Sequence, residues 1–335
     1  MAPSGGKIGG KFKLNDAGSG RRRTKRRRRQ ARLVPCAGIR QKRAVIIDAH
    51  VHLYPTGTDL DPSGWAAQAG EHHWAILCTR RRRDGRPVQT LPTREELMAA
   101  MDAAGVERAV LLGWYWEKAA TCTWQNRFYA ACVREHPDRL SAFATVHPEA
   151  GMEATLAELH RAREDGLIGI GELSPHSQNY PIDHPVFAAV LARAGEYGWP
   201  VNLHVTDPAG MSYRGRVETP LADFVTLARR FPATNFILAH WGGLLPLLPA
   251  HVGVGQLANM YFDTAASPLL YDADVWSRAL PAIGSDRVLF GSDFPLNLYP
   301  RLDERPSLVR LVAEARHGGA GPAVLAANAR RLLRL

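Results

Sequence analysis

Eight short, mostly apolar runs alternate along this chain with segments that carry helix signals, and this alternation restricts the fold more than any other feature. The runs fall at about 44–49, 108–113, 140–146, 167–172, 200–205, 235–240, 260–264 and 288–293. Helices are expected between them at about 119–135, 151–165 and 185–197, with closing helices near 303–316 and 322–334. The first helix is marked by Thr93-Arg94-Glu95-Glu96, which has the form of a capping box, and by Gly105 as its stop. Thr219-Pro220 predicts another start, a cap residue followed by proline in the first turn. Strands without a polar face belong in a parallel sheet covered on both sides. Eight of them predict an α/β fold closed as a (β/α)8 TIM barrel, which takes roughly 250 residues plus insertions and fits within the 335 present. An open doubly wound sheet is the alternative, but no glycine-rich phosphate fingerprint follows the first run.

Polar residues stand where these runs end. In Ile46-Ile47-Asp48-Ala49-His50-Val51-His52 the two histidines are two apart, so in a strand their imidazoles share a face. Glu172 ends the fourth run, His204 lies near the end of the fifth, His240 ends the sixth and Asp293 the eighth. In a barrel the C-terminal strand ends converge on one mouth, where active sites are built. Taken singly, each histidine fits a satisfied core position, Asp293 a helix cap and Glu172 an ion pair. Six such residues on five strands do not gather by accident, because clustering acids and imidazoles is costly unless a shared cation neutralises them. Neutral imidazole is a common ligand of zinc and similar divalent ions.

The connection over 53–92 is long and holds Trp65, His72, His73, Trp74 and the run Arg80-Arg81-Arg82-Arg83. A connection of that length inside a compact domain is either functional or disordered. Following a ligand-bearing strand, it reads as a lid whose arginines meet a substrate carboxylate, or more plainly as a solvated charged face. Tyr129, Trp114, Trp116 and Trp241 are candidates to stack on an aromatic substrate, with core packing the plainer role. Among them Trp241 is the expected substrate-binding residue.

The net charge of +10 hides an asymmetry. Residues 1–43 hold 15 basic residues and one acid, which leaves 27 basic against 31 acidic residues in the remainder. A disordered basic extension over 1–43 and a barrel domain over 44–335 are therefore expected. Nucleic-acid binding by the extension is the reading from another class and would show steep salt dependence. The body does not continue the basic surface, so nucleic acid is not an expected partner; a small-molecule substrate is, and a homo-oligomer is left open. No run approaches the roughly 20 apolar residues of a membrane span, and no apolar export segment follows the arginines. Four cysteines without a C-x-x-C pair suit free thiols in a reducing cytoplasm.

His50-Val51-His52, Gly171-Glu172, Leu203-His204, Ala239-His240-Trp241-Gly242-Gly243, Gly291-Ser292-Asp293-Phe294-Pro295 and the closing Asn328-Ala329-Arg330-Arg331-Leu332-Leu333 together resemble the amidohydrolase-related branch of the amidohydrolase superfamily. The similarity runs over about residues 44–335. It implies a metal-dependent barrel enzyme with His50, His52, His204 and Asp293 as ligands of a divalent ion, Zn2+ being expected. It implies for His240 a place on a second metal or a catalytic role. Decarboxylase members of the branch generally lack a ligand at the fourth-strand position, where this chain has Glu172, as do relatives in which a glutamate bridges two metals. One ion is expected, with provision for a second.

The expected reaction is hydrolysis of an amide, ester or lactone bond of a small organic acid. Metal binding lowers the pKa of water toward ~7, Asp293 relays its proton, and His240 polarises the carbonyl or stabilises the oxyanion. The alternative is non-oxidative decarboxylation of the aminocarboxymuconate-semialdehyde decarboxylase type, in which a carbon is protonated in place of water attack. A metal-bridging Glu172 would favour hydrolysis.

Overall fold

The computed structural model describes residues 45–248 and 257–335. The expectation of a disordered basic extension over 1–43 falls outside them. The order begins β1 (Ile47–Val51), α1 (Pro62–Ala69), α2 (His72–Cys78), α3 (Arg94–Ala104), β2 (Arg108–Leu111), α4 (Ala119–Glu135), β3 (Leu140–Ala142) and α5 (Met152–Glu164). It continues β4 (Ile170–Leu173), α6 (Pro185–Tyr197), β5 (Val201–Leu203), α7 (Leu221–Arg230), β6 (Phe236–Leu238) and β7 (Met260–Asp263). It closes with α8 (Ser267–Leu270), α9 (Val275–Ile283), β8 (Val288–Leu289), α10 (Leu308–His317) and α11 (Asn328–Leu333).

The strands pair in parallel as β1-β2-β3 and as β4-β5-β6-β7-β8. Backbone hydrogen bonds join the two ladders at both seams. Between β3 and β4, Ala144 N–H donates to Gly169 O at 2.9 Å and Gly171 N–H to Ala144 O at 2.8 Å. Between β8 and β1, Ala49 N–H donates to Phe290 O at 2.8 Å, Asp293 N–H to His50 O at 2.9 Å and His52 N–H to Phe294 O at 2.7 Å. The ring is therefore a closed (β/α)8 barrel, and the doubly wound alternative falls. Gly291 permits the second seam: a Cβ there would lie 2.8 Å from that of His50. Apolar residues of the strands pack with the surrounding helices, for instance Leu203, Leu238 and Phe262 in one cluster with Phe187, Phe224 and Trp276. No helix among the described residues is long and apolar enough to cross a membrane.

Local signals acted as physical chemistry requires, with one exception. The Thr93–Glu96 capping box forms and Gly105 closes α3 at φ 70°. Thr219, however, does not cap α7. Its hydroxyl accepts from Thr206 N–H at 2.7 Å, fastening the connection after β5 to itself, and Pro220 precedes the helix without a side-chain cap.

The segment over 53–92 is built, not open loop. Asp61 caps α1 by accepting from Gly64 N–H at 3.0 Å, Pro62 opens it and Gly70 ends it in the left-handed conformation. Trp65 and Trp74 pack edge to face at 5.1 Å, and both touch Trp116 beyond the end of β2. In the arginine run, Arg81 and Arg83 are exposed, while Arg82 donates to Asn297 O at 3.0 Å. Arg80 is half-buried with its guanidinium 4.9 Å from the centre of the Tyr213 ring.

Glu71 latches this segment to the start of α4, accepting from Glu117 N–H at 2.7 Å and Lys118 N–H at 3.1 Å. Burial, opposed by those hydrogen bonds and one from Thr121, pushes its carboxyl up to about 7 from an ordinary 4.5. The folded state then binds that proton more tightly than the unfolded chain. The ionisation cost is absent below about pH 4.5 and complete above about pH 7. The melting temperature of the wild type should thus fall relative to Glu71→Gln between about pH 5 and 8. A difference that stays flat across that window refutes the latch titration.

Candidate metal centre

β1 turns His50 and His52 to the same side, and each has its Nδ1–H committed elsewhere. His50 Nδ1–H donates to Asp263 Oδ2 at 2.9 Å, and His52 Nδ1–H to Leu112 O at 3.0 Å. With both rings neutral each Nε2 presents a lone pair, and the two face each other at 3.1 Å. Two lone pairs cannot satisfy one another, so a proton or a metal ion belongs between them. Asp293 Oδ1 lies 3.4 Å from His52 Nε2 and 3.8 Å from His50 Nε2; Glu172 Oε2 lies 3.6 and 3.8 Å from the same atoms.

A second group adjoins the first. Glu172 Oε1 is 2.9 Å from His204 Nδ1, and His240 Nε2 is 3.3 Å from His204 Nδ1 and 3.7 Å from Glu172 Oε1. His240 Nδ1–H donates to Ala265 O at 3.1 Å, which frees its Nε2 lone pair for this group. Within each trio, His50–His52–Asp293 and Glu172–His204–His240, donor atoms lie within 4.8 Å of one another. The six residues singled out in the sequence thus meet at one place. His204, expected beside His50, His52 and Asp293, falls instead in the second trio, and Glu172 faces both.

The ladder ends before most of these side chains. Glu172 is inside β4, His204 follows β5 directly, and His240 and Asp293 lie beyond β6 and β8. His240 and Asp293 adopt left-handed backbone, φ 58° and 65°. Such conformations are uncommon outside glycine and persist where surroundings enforce them, often at functional sites.

Charge follows burial and neighbours. Burial would lower His50's basicity, but the Asp263 carboxylate outweighs it and lifts the imidazole to about 10. Burial would raise Glu172, but His204, with His50 and His52, holds it down to about 2. Asp293 is likewise held well below its ordinary range against burial by His52, His50 and His240. His240 is depressed, by burial first. Two ionised, buried acids among imidazoles attract a cation, and imidazole and carboxylate are ligands of divalent metals. The residues fit such an ion.

Asp263 was not among the sequence candidates. Fully buried at the end of β7, it accepts from His50 Nδ1–H and Asn202 Nδ2–H, both at 2.9 Å, through Oδ2. Through Oδ1 it accepts from His240 N–H at 3.1 Å and Ala265 N–H at 3.0 Å. Its only signal was an acid closing an apolar run. Tyr115 was missed as well: its ring lies 5.1 Å from that of His204, while the neighbouring Trp114 ring lies 5.4 Å from that of His52. Trp241, expected to bind substrate, is fully buried against Trp276 and donates its indole N–H to Ser267 Oγ at 2.8 Å.

A family model described as amidohydrolase matches residues 47–335. Among solved structures, 5-carboxyvanillate decarboxylase from Sphingomonas paucimobilis is similar at TM-score 0.65 and 18% identity, covering 87% of this chain and 99% of its own. The 5-carboxyvanillate decarboxylase of Novosphingobium aromaticivorans, complexed with manganese and a nitrobenzoic acid, gives 0.63 and 16%, covering 88% and 97%. A probable 2-pyrone-4,6-dicarboxylic acid hydrolase from Acinetobacter baumannii, with citric acid bound, gives 0.56 and 17%, covering 87% and 99%. No curated protein sequence matches the chain.

Proposed function

The chain belongs to the amidohydrolase family, and from that membership we propose that it is a metal-dependent non-oxidative decarboxylase of a small aromatic acid, a carboxylated phenol being the class that fits best. The observation that carries metal dependence is the pair of facing Nε2 atoms, 3.1 Å apart and ringed by two carboxylates. His50, His52 and Asp293 would hold one divalent ion, and Glu172 would complete that set or reach toward a second position with His204 and His240. Such a donor set suits Zn2+ or Mn2+. The ion, when bound, supplies a Lewis acid that draws electron density from the substrate's carboxylate and adjacent oxygen.

The chain's own residues then have distinct tasks. Trp114 and Tyr115 form an aromatic wall beside the two trios. Arg80, on the segment that follows β1, brings a cation to Tyr213, which also lies in the field of Asp293 and Glu172. Asp293 turns Oδ1 toward His50 and His52; its carboxylate, ionised in the free protein, would take up the proton of the incoming carboxylic acid at Oδ2 and be the group that returns it. The carbon–carboxylate bond breaks, its electron pair stays on the ring carbon, carbon dioxide leaves, and that proton joins the carbon.

Hydrolysis, favoured from the sequence, becomes the second reading; Glu172 facing both trios is the observation in its favour. Decarboxylation is supported by the aromatic, arginine-bearing surroundings and by the two decarboxylases among the similar structures. The test is carbon dioxide release from a panel of hydroxylated benzoic acids. A chelator should abolish it and added Zn2+ or Mn2+ restore it. Lactone or amide cleavage without carbon dioxide would replace this reading by the second, and full turnover by metal-stripped protein would end both.

A further inference from the structure

The connection after β6 is wound left-handed. His240, Trp241, Gly242, Gly243 and Leu244 follow one another with φ between 58° and 60°. Glycine takes that conformation freely, and a Cβ at Gly242 would lie 2.8 Å from the Phe262 ring. His240, Trp241 and Leu244 are not glycines, and L-residues avoid the region except as isolated positions. Such a turn persists only where its surroundings hold it.

One segment, residues 263–271, ties it down. Asp263 Oδ1 accepts from His240 N–H at 3.1 Å, Ala265 O from His240 Nδ1–H at 3.1 Å, and Ser267 Oγ from the Trp241 indole N–H at 2.8 Å. The fourth tie is Tyr271, directly after α8, whose hydroxyl donates to His240 O at 3.1 Å. The peptide groups on both sides of the His240 Cα are therefore gripped, the N–H by Asp263 and the carbonyl by Tyr271. Gripping both sets the direction of the Cα–Cβ bond, and the Ala265 carbonyl then sets the rotation of the ring. The imidazole so held brings Nε2 to 3.3 Å from His204 Nδ1 and 3.7 Å from Glu172 Oε1.

We propose that Tyr271 is a positioning residue for His240: by holding the His240 carbonyl, its hydroxyl keeps the turn left-handed and keeps Nε2 in the second trio as a donor to a cation. This rests on the metal-centre reading and is independent of which reaction the centre performs. Phenylalanine keeps the ring of Tyr271 and removes only the hydroxyl. Amide hydrogen exchange is compared between the metal-free full chain of the wild type and of Tyr271→Phe. Zn2+ binding is then measured on both, on His240→Ala and on the double variant.

The amides that report on the turn are those of His240 and Gly242, which donate to Asp263 Oδ1 and Ala239 O. Their protection should fall about three- to tenfold in Tyr271→Phe, the worth of one hydrogen bond. Protection of Phe236 on β6, which donates to Asn259 O, should not change, nor should the melting temperature. The part of Zn2+ affinity that His240→Ala removes should weaken by a similar factor, and Tyr271→Phe should cost nothing further on top of His240→Ala. Unchanged protection, an equal loss at Phe236, or the same loss of Zn2+ affinity in both backgrounds overturns the proposal. If His240→Ala leaves Zn2+ binding intact, the proposal falls while an ion on His50, His52 and Asp293 stands. A wild type that binds no Zn2+ overturns the metal centre as well, whereas absence of carbon dioxide release overturns the decarboxylase reading alone.

Discussion

Asp293→Asn should reduce kcat for carbon dioxide release by about 10²–10⁴-fold, the range over which a positioned proton-transfer group acts. The substitution preserves shape and leaves the backbone contact of residue 293 to His50 O intact. It removes the negative charge 3.4 Å from His52 Nε2 and the proton carrier on the other oxygen. Metal affinity falls for the first reason and chemistry for the second, so the two must be separated. Turnover measured across a metal titration does this: the loss in kcat should persist at saturating Zn2+ or Mn2+. Recovery to within a few-fold of wild type at high metal would make Asp293 a ligand only and remove it from the proton path.

The second large effect is expected where the sequence offered least. Asp263→Ala takes one carboxylate from four donors, His50 Nδ1–H, Asn202 Nδ2–H and the N–H groups of His240 and Ala265, all in a fully buried place. Removing one partner of a buried charged pair costs about 3–5 kcal/mol. Loss of the group that orients a metal-bound imidazole typically costs 10–100-fold in affinity. Denaturant unfolding of the metal-free protein measures the first, and metal titration the second. Asp263→Asn supplies the intermediate case, since its amide must turn an N–H toward donors on one side whichever way it sits. Unchanged metal affinity in both variants would show that the imidazole of His50 is held by other means.

The strand–helix alternation carried the barrel, because apolar runs with polar ends leave few other ways to bury eight strands. His50 and His52 were legible for the same reason: a period of two needs only two residues to declare a face. His240 and Asp293 were legible as chemistry but not as conformation. Both were placed on the strands that precede them, yet they lie past the ladder with φ 58° and 65°, which nothing in a non-glycine residue announces. Asp263 was hidden because an acid after an apolar run looks the same whether it caps a helix or gathers three donors from three other segments and a fourth from its own. Helix α1 has start and stop signals in Asp61-Pro62 and Gly70, masked by the apparent polarity of the stretch, whereas α2 has no side-chain cap to announce it. Tyr115 had no local signal, since its place beside the ring of His204 is a property of the fold.

The seam between β8 and β1 brings the first and last staves of the barrel together, and three of the six clustered side chains, His50, His52 and Asp293, belong to it. The histidines and their acidic counterpart lie far apart along the sequence, so the first trio exists only where the first and eighth strands meet. Closing the cylinder and assembling that trio are one event, which ties the candidate metal centre to a closed fold.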